Sequence, residues 1–267
     1  MKIRRNLQFC GAGPSCALTL LELLVVITII AILSGLILPV IGHGKAKARR
    51  VACINRLKQW TLGFGQYADE NGTIPREGHH WDGRVRLNNW NMIRDERSQD
   101  VWYNALSNYV GNAPASSYYP SANRSRFYES PSLFHCPSAG SWLRKLDQGI
   151  SLYRAYFSVA MNSQLIEPFS APTIRAASIT RPSRTVTFLD NRLQDEAMVV
   201  PTQPIDNLGQ PAAEPGRFAG LRHENGGNLS FADGHVEWFP HSRVVEMQGP
   251  YRGFSKQNQR DIQWSVP

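Results

Sequence analysis

Four side chains in the C-terminal half of the chain are of the types that bind metal ions or transfer protons. They are two carboxylates and two imidazoles: Asp190, His223, Asp233 and His235. Imidazole and carboxylate ligands together suit Zn²⁺ or Mn²⁺, whereas Ca²⁺ prefers oxygen ligands, such as the two aspartates with backbone carbonyls. Because their spacing matches no metal-binding motif, we predict no cofactor; a metal site, including a structural Ca²⁺, is the alternative.

The sequence around these residues, LRHENGGNLSFADGHVEWFP at 221–240, predicts a β-hairpin. Apolar residues alternate with polar or small ones on both sides of a turn: Leu229, Phe231, Val236 and Trp238. This alternation predicts one apolar face and one polar face, with Asp233-Gly234 as a two-residue turn. We therefore favour a structural role, in which His223 fixes the hairpin through a side-chain hydrogen bond.

The sequence contains none of the common catalytic motifs. G-x-S-x-G, H-E-x-x-H and the P-loop pattern are all missing from the 267 residues. We therefore predict that the protein is not an enzyme, and a membrane-tethered metal-dependent hydrolase is the third-ranked hypothesis.

The composition of the chain and the distribution of its basic residues limit the class of protein. Its 267 residues are 42% hydrophobic, which is enough for a sizeable core in one domain or two, and the formal net charge is +8. Basic residues cluster only beside an apolar run near the N-terminus: Lys2, Arg4, Arg5, Lys45, Lys47, Arg49 and Arg50. Since basic residues commonly flank a membrane segment, we predict no nucleic-acid partner.

The apolar run at 18–41 is long enough to cross a membrane once. Its 24 residues would extend about 36 Å as a helix, against about 30 Å for the hydrocarbon core of a bilayer. A secretory signal cleaved near residues 44–48 is the alternative, but the apolar part of such signals is about 7 to 15 residues long. The flanking charges do not set the orientation.

One carboxylate, Glu22, lies near the start of this run. A charged side chain inside a membrane costs a few kcal/mol, at least about 2.5, so it should reach the interface or have a partner. Cleavage between Ala17 and Leu18 would create a positive α-amine four residues before Glu22. The amine and the carboxylate would then pair within one chain or between neighbouring chains, and the second arrangement would serve assembly.

These residues carry a resemblance to a known family. ALTLLELLVVITIIAIL at 17–33 resembles the processing site of type IV pilins and type II secretion pseudopilins, with Ala17 in place of the usual Gly and Leu18 in place of Phe. The resemblance implies cleavage after Ala17 by prepilin peptidase, N-methylation of Leu18, and assembly through Glu22 into a homo- or hetero-oligomeric filament. It also implies a single-pass inner-membrane protein whose body is periplasmic or extracellular and which is filament-associated after processing.

A second resemblance lies near the C-terminus. His223, Asp233 and Gly234 form a pattern similar to the H-x9-D-G signature of a large subgroup of prepilin-type proteins. CINRLKQW, FHCPSAG, YFSVAMNS and PSRTVTFLD also resemble that subgroup, so the resemblance covers nearly the whole chain.

The predicted fold is α+β and pilin-like: a long N-terminal helix packed on a small antiparallel sheet. We expect a leader at 1–17, a transmembrane segment at 18–41, an amphipathic continuation of the helix at 42–70 and a globular body at 71–267. The stripe on the continuation is Val51, Ile54, Leu57, Thr61 and Phe64. Asn71-Gly72 marks the helix end, and 153–162 and 184–190 predict strands.

The four cysteines divide between the leader and the body. Cys10 and Cys16 would leave with the leader, and Cys53 and Cys136 would then meet an oxidising compartment. The sequence leaves two alternatives for Cys53 and Cys136: a disulfide, or a pair of reduced thiols in the core.

The function predicted from these features is a structural subunit of a type II secretion pseudopilus or a type IV pilus-like filament. The alternative is a membrane-anchored extracytoplasmic protein that binds a ligand or a glycan without polymerising. The aromatic and polar stretch around Trp81 and Trp90 is the place for such binding, although we favour a loop folded over the core.

Overall fold

The structure of the chain is a computed structural model. The structure describes residues 19–78, 80–81, 84–85, 89–119, 124–129, 132–140, 142–143, 154–165, 174–193, 196, 209–245 and 261–266. The predicted leader and both residues of the predicted cleavage site, Ala17 and Leu18, lie outside this part. The chain divides into two compact units, residues 1–45 and 46–267.

Helix α1 (Leu20–Asn71) contributes to both units and is 52 residues long. It ends at the predicted place, because Gly72 adopts a left-handed conformation with φ +67° that stops the helix. In the first unit its apolar side chains are exposed, and among the described residues it is the one helix long and apolar enough to cross a membrane.

The second unit contains a five-stranded mixed sheet. Its strands are β3 (Val159–Asn162), β4 (Val186–Asp190), β5 (Ala212–Ala213), β6 (Gly226–Phe231) and β7 (Val236–Pro240), in the order β5-β3-β4-β6-β7. All neighbours are antiparallel except β3 and β5, which are parallel. The α+β class is therefore confirmed, and the two predicted strand regions contain β3 and β4, but the prediction of a purely antiparallel sheet is wrong.

Short elements cover the sheet and connect its strands. A two-stranded ribbon pairs β1 (His80–Trp81) with β2 (Arg84–Val85). The short helices are α2 (Trp90–Ile93), α3 (Trp102–Ala105), α4 (Ser107–Val110), α5 (Arg124–Tyr128) and α6 (His241–Val245). Single turns of 3-10 helix lie at Glu96–Ser98, Ala115–Tyr118, Pro137–Ala139, Ala176–Ser178 and Pro215–Arg217.

One face of the sheet packs against the second part of α1. The buried residues of the helix recur every three or four positions: Cys53, Leu57, Trp60, Thr61, Gly63, Phe64 and Ala68. Trp60 lies at the centre, 5.0 Å from the Trp102 ring and 5.2 Å from the Phe134 ring. The predicted stripe is correct for Leu57, Thr61 and Phe64 and wrong for Val51, which is 55% exposed.

Both faces of the hairpin strand β6 are covered, including the face predicted to be polar. Every residue of β6 is buried. The Ser230 hydroxyl on this strand has an internal partner: it lies 3.0 Å from the hydroxyl of Thr187, which lies 3.5 Å from that of Thr61 on α1. The apolar side chains of β6 enter a second core cluster with Phe218, Phe239 and Trp264. Because hydrogen bonds offset the cost of burying hydroxyls, the alternation gives two buried faces.

Candidate functional site

The first turn of α1 holds the carboxylate of Glu22 in a capping box. The Thr19 backbone N–H and the Thr19 hydroxyl both donate to Glu22 Oε2, at 2.9 Å each. In return, the Glu22 backbone N–H donates to the Thr19 hydroxyl at 3.2 Å. A Thr at the N-cap and a Glu three residues later satisfy two of the orphan donors of a helix start.

The capping role of Glu22 was not predicted from the sequence. The signal was present, since Thr-x-x-Glu directly before an apolar run is the pattern of a capping box. Glu22 thus has a partner within its own chain. The predicted α-amine of Leu18 lies outside the described residues, so its pairing with Glu22 stays a prediction.

A disulfide joins Cys53 on α1 to Cys136, which directly precedes the 3-10 turn Pro137–Ala139. Their Cα atoms are 4.9 Å apart, and 83 residues of sequence separate them. Both cysteines are 1% exposed. The bond ties the long helix to the segment whose aromatic residues pack against Trp60.

His223 lies against this disulfide, at the start of the H-x9-D-G pattern. Its Nε2 atom is 3.4 Å from Cys136 Sγ and 3.4 Å from Asp190 Oδ2. Asp190 Oδ2 also accepts from the backbone N–H of Asn228 at 2.9 Å and from its side chain at 2.7 Å. Asp190 therefore contacts both His223 and the hairpin strand β6, to which Asn228 belongs, and the expected role of His223 in fixing the hairpin stays a prediction.

The carboxyl group of Asp190 is buried, and burial alone would raise its pKa. The hydrogen bond and charge of His223, the charge of Arg222 and the Asn228 N–H outweigh that effect, so the pKa of Asp190 lies below its usual value. The carboxylate therefore stays ionised inside the protein and can hold both the imidazole and the start of β6.

The loop between His223 and β6 is held against helix α1. Glu224 and Asn225 both adopt positive φ angles of 57° and 62°. The indole N–H of Trp238 donates to the carbonyl of His223 at 2.8 Å, and the guanidinium of Arg50 lies 5.2 Å from the Trp238 ring centroid. Arg50 also lies 3.7 Å from the carboxylate of Glu224. The pattern therefore connects the hairpin to α1 at its His223 end.

The other end of the pattern forms the hairpin turn, but with three loop residues instead of the predicted two. The Phe231 N–H donates to the His235 carbonyl at 3.0 Å, which closes the loop Ala232–Gly234. Gly234 has φ +94°, whereas Asp233 is not among the residues with positive φ. A two-residue type I′ turn needs positive φ at both central positions, so this loop has the three-residue form with glycine last. Asp233 instead accepts the His235 N–H at 3.1 Å.

The structure contradicts the four-residue metal site considered from the sequence. Asp190 pairs with His223, and Asp233 pairs with His235 at 2.5 Å. Asp190 ends β4, whereas Asp233 lies beside the residues that precede it, since its N–H donates to the Pro182 carbonyl at 3.3 Å. At about 3.3 Å per residue, the strand separates the two pairs by about 17 Å. The alternating pattern of the hairpin did not indicate that the two pairs lie at opposite ends of β4.

A different set of potential ligands does converge. Sulfur atoms of Cys53 and Cys136 and a ring nitrogen of His223 all lie within 4.8 Å of one another, and in the part of the chain that the structure describes this is the one such group. The sequence did not reveal this set, because 83 and 87 residues separate its members.

His135, beside Cys136, is a second buried histidine. Its ring lies 4.7 Å from that of Phe127 and stacks on Tyr128 at 5.4 Å. Burial, with a smaller effect from the Arg56 charge, lowers the pKa of His135 to about 3. The imidazole is therefore neutral at physiological pH.

Trp90 of the aromatic stretch belongs to the core. Trp90 is 2% exposed and packs 5.2 Å from the Phe127 ring, and Asn89 caps α2 by accepting the Asn91 N–H at 2.9 Å. Trp81 lies in β1, and its side chain is outside the described part, as are His79 and Asn88. Trp90 is therefore not available to stack on a sugar.

Comparison with known proteins assigns no family to the chain. No family model, no curated protein and no solved structure matches it.

Proposed function

We propose that the protein is a prepilin-type structural subunit of a type II secretion pseudopilus or a type IV pilus-like filament. In this proposal prepilin peptidase cuts between Ala17 and Leu18, Leu18 is N-methylated, and the mature chain joins a homo- or hetero-oligomeric filament. The body is periplasmic or extracellular, and the subunit resides in the inner membrane by a single span until it is assembled.

The observation that carries the proposal is the different burial of the two parts of α1. From Leu20 to Ile41 its large apolar side chains are at least 47% exposed, as for a surface that meets lipid or other apolar helices. From Cys53 to Ala68 the same helix contributes the central residues of a folded core. Such a helix suits a subunit that moves from the membrane into a filament. The exposed apolar surface at 20–41 would be covered by lipid before assembly and by the helices of neighbouring subunits after it.

The carboxylate at the start of this helix supports the same proposal. Both cap bonds use Oε2 of Glu22, and no residue of the described part bonds Oε1. The free oxygen is therefore open to an ammonium group, either the chain's own mature N-terminus or that of a neighbour. In an apolar assembly such a pair would be desolvated, so its geometry would fix the axial position of one subunit on the next.

The first test is the N-terminus of the mature protein. We expect N-terminal sequencing and intact mass to give methylated Leu18 after co-expression with a prepilin peptidase. A mature protein that keeps Met1, or that begins beyond the apolar run, contradicts the proposal.

The second test separates the charge of Glu22 from its capping role. Glu22→Gln keeps a cap acceptor but loses the charge, whereas Thr19→Ala loses the N-cap side chain and keeps the charge. We expect Glu22→Gln to be processed but to be at least tenfold less abundant in sheared filaments, roughly the effect of losing about 1.4 kcal/mol. Thr28→Ala, which removes a hydroxyl that bonds only its own helix at 2.7 Å, is the matched control and should assemble normally.

A further inference from the structure

The second unit contains three ligand atoms of the kind that bind soft divalent metals. They are the sulfurs of Cys53 and Cys136 and a ring nitrogen of His223, all within 4.8 Å of one another. The residues are buried, with exposed fractions of 1%, 1% and 3%. The structural role proposed above uses the sulfurs only as a disulfide, and it leaves the chemistry of the dithiol form unassigned.

We propose that the dithiol form of the protein binds one Zn²⁺-class cation through Cys53, Cys136 and His223, with Asp190 as the fourth donor. Two thiolates and an imidazole are a ligand set that zinc prefers and that Mg²⁺, Ca²⁺ and Mn²⁺ do not. The disulfide and the metal compete for the same sulfurs, so each form excludes the other.

The backbone already brings these ligands within reach of one ion. The Cα atoms of the two cysteines are 4.9 Å apart, one on a long helix and one at a strand-like residue before a 3-10 turn. His223 Nε2 is 3.4 Å from Cys136 Sγ. Rotation of the cysteine side chains about χ1 is then the adjustment that opens a position between the sulfurs and the imidazole.

Asp190 provides the observation that is independent of the cysteines. Its side chain is fully buried, and Oδ1 has no hydrogen-bond partner within the described residues, although Oδ2 accepts two bonds from Asn228. A buried carboxylate oxygen without a donor is costly, and coordination of a cation beside it removes that cost. Its Oδ2 lies 3.4 Å from His223 Nε2, so the carboxylate and the imidazole border the same space.

The chemistry balances without an unnamed reactant. A phosphine and one water molecule reduce the disulfide to two thiols and give the phosphine oxide. Binding of the cation then forms two metal–sulfur bonds and releases the two thiol protons to solvent. In the cell the dithiol form exists in each chain before its cysteines are oxidised.

The test uses the full chain in detergent with Cys10→Ser and Cys16→Ser, so that Cys53 and Cys136 are the only thiols. The phosphine-reduced protein is freed of reductant without oxygen and titrated with Co²⁺, which reports its ligands by colour. We expect one Co²⁺ per chain, thiolate-to-cobalt charge-transfer bands, the ligand-field bands of tetrahedral Co²⁺, and two protons released per ion. The oxidised protein should show none of these bands.

Variants identify the imidazole. His223→Ala should weaken Co²⁺ binding by at least about tenfold, and Asp190→Asn should lower it less. His235→Ala is the matched control, because His235 pairs with Asp233 at the other end of β4, and it should bind as the parent does. Near-ultraviolet circular dichroism of the oxidised variants checks that each one is folded.

Two results would overturn the proposal: a reduced parent protein without thiolate-to-cobalt bands, or a folded His223→Ala variant that binds Co²⁺ as tightly as the parent. Because reduction of the disulfide could unfold the second unit and so abolish Co²⁺ binding, the reduced protein is also examined by circular dichroism. If it has lost its tertiary signal, Zn²⁺ must restore that signal, and failure to do so also overturns the proposal. None of these results depends on cleavage or filament assembly.

Discussion

Replacing His135 should make the stability of the second unit less dependent on pH. Burial holds the pKa of this imidazole at about 3 in the folded protein, against about 6.5 in an unfolded chain. The unfolded state therefore binds a proton that the folded state does not, and stability is lost as the pH falls below about 6.5. With these two values the His135 contribution falls by about 2 kcal/mol between pH 7 and pH 5, and the loss continues until about pH 3.

The structure indicates which replacement isolates this effect. The ring lies among Phe127 and Tyr128, and the bond from Arg56 goes to the backbone carbonyl of His135, which any residue retains. His135→Phe therefore keeps the aromatic packing and the Arg56 bond while it removes the titrating group. His135→Gln also removes the titrating group but loses the ring contacts. It should therefore be less stable than His135→Phe at every pH, while its stability should depend on pH in the same way.

The assay is chemical unfolding of the full chain in detergent, followed by tryptophan fluorescence at pH 7, 6 and 5. All seven tryptophans follow residue 45, so the signal reports the second unit alone. We expect the free energy of unfolding of His135→Phe, relative to the parent, to rise by about 2 kcal/mol between pH 7 and pH 5. Curves that stay parallel for the parent and both variants would refute the assignment of a buried neutral imidazole.

Three further outcomes follow from the packing of the second unit. Reducing the disulfide should lower the free energy of unfolding by about 4 kcal/mol in metal-free buffer, because it closes a loop of 83 residues in the unfolded chain; a change below about 1 kcal/mol would contradict this. Gly226→Ala should cost more than about 2 kcal/mol by denaturant unfolding, because an added Cβ would meet the Phe239 carbonyl and lie 2.6 Å from the Trp238 ring. The matched control is Gly65→Ala on α1, where nothing lies within 4 Å; it should stabilise by up to about 1 kcal/mol, and equal effects at both glycines would be evidence against the close approach at Gly226.

Features encoded locally were predictable from the sequence, and those made by distant contacts were not. The end of α1 follows from Gly72, the strand at 186–190 follows from its β-branched and aromatic residues, and the strand at 159–162 follows from Val159 and the aromatic residues Tyr156 and Phe157 just before it. The two-sided burial of β6 was not predictable, because it depends on a hydroxyl partner for Ser230 from β4, Thr187, which in turn contacts Thr61 on α1. A polar alternation indicates a solvent-facing side only when no such partners exist.

The two candidate sites differ in the same way. The capping box needs only four consecutive residues, and its pattern was readable in the sequence, although the membrane context drew attention to the charge of Glu22 alone. The group of Cys53, Cys136 and His223 depends instead on α1, on the segment before a 3-10 turn and on the loop before β6 meeting in space. No spacing rule in a single sequence encodes that meeting.

The capping box also bears on when Glu22 becomes available for assembly. Its bonds involve Thr19 and Glu22, which both follow the predicted cleavage site, so removal of the leader would leave the start of α1 as it is. The mature chain would gain an ammonium group one residue before the N-cap, near the positive end of the helix dipole, where a cation is unfavourable. The carboxylate of Glu22, with one oxygen bonded to the cap and one oxygen free, would offset both the ammonium charge and the positive end of the helix dipole. Glu22 could then cap the helix of its own chain and still bind an N-terminus, so its local structural role is compatible with the proposed role between subunits.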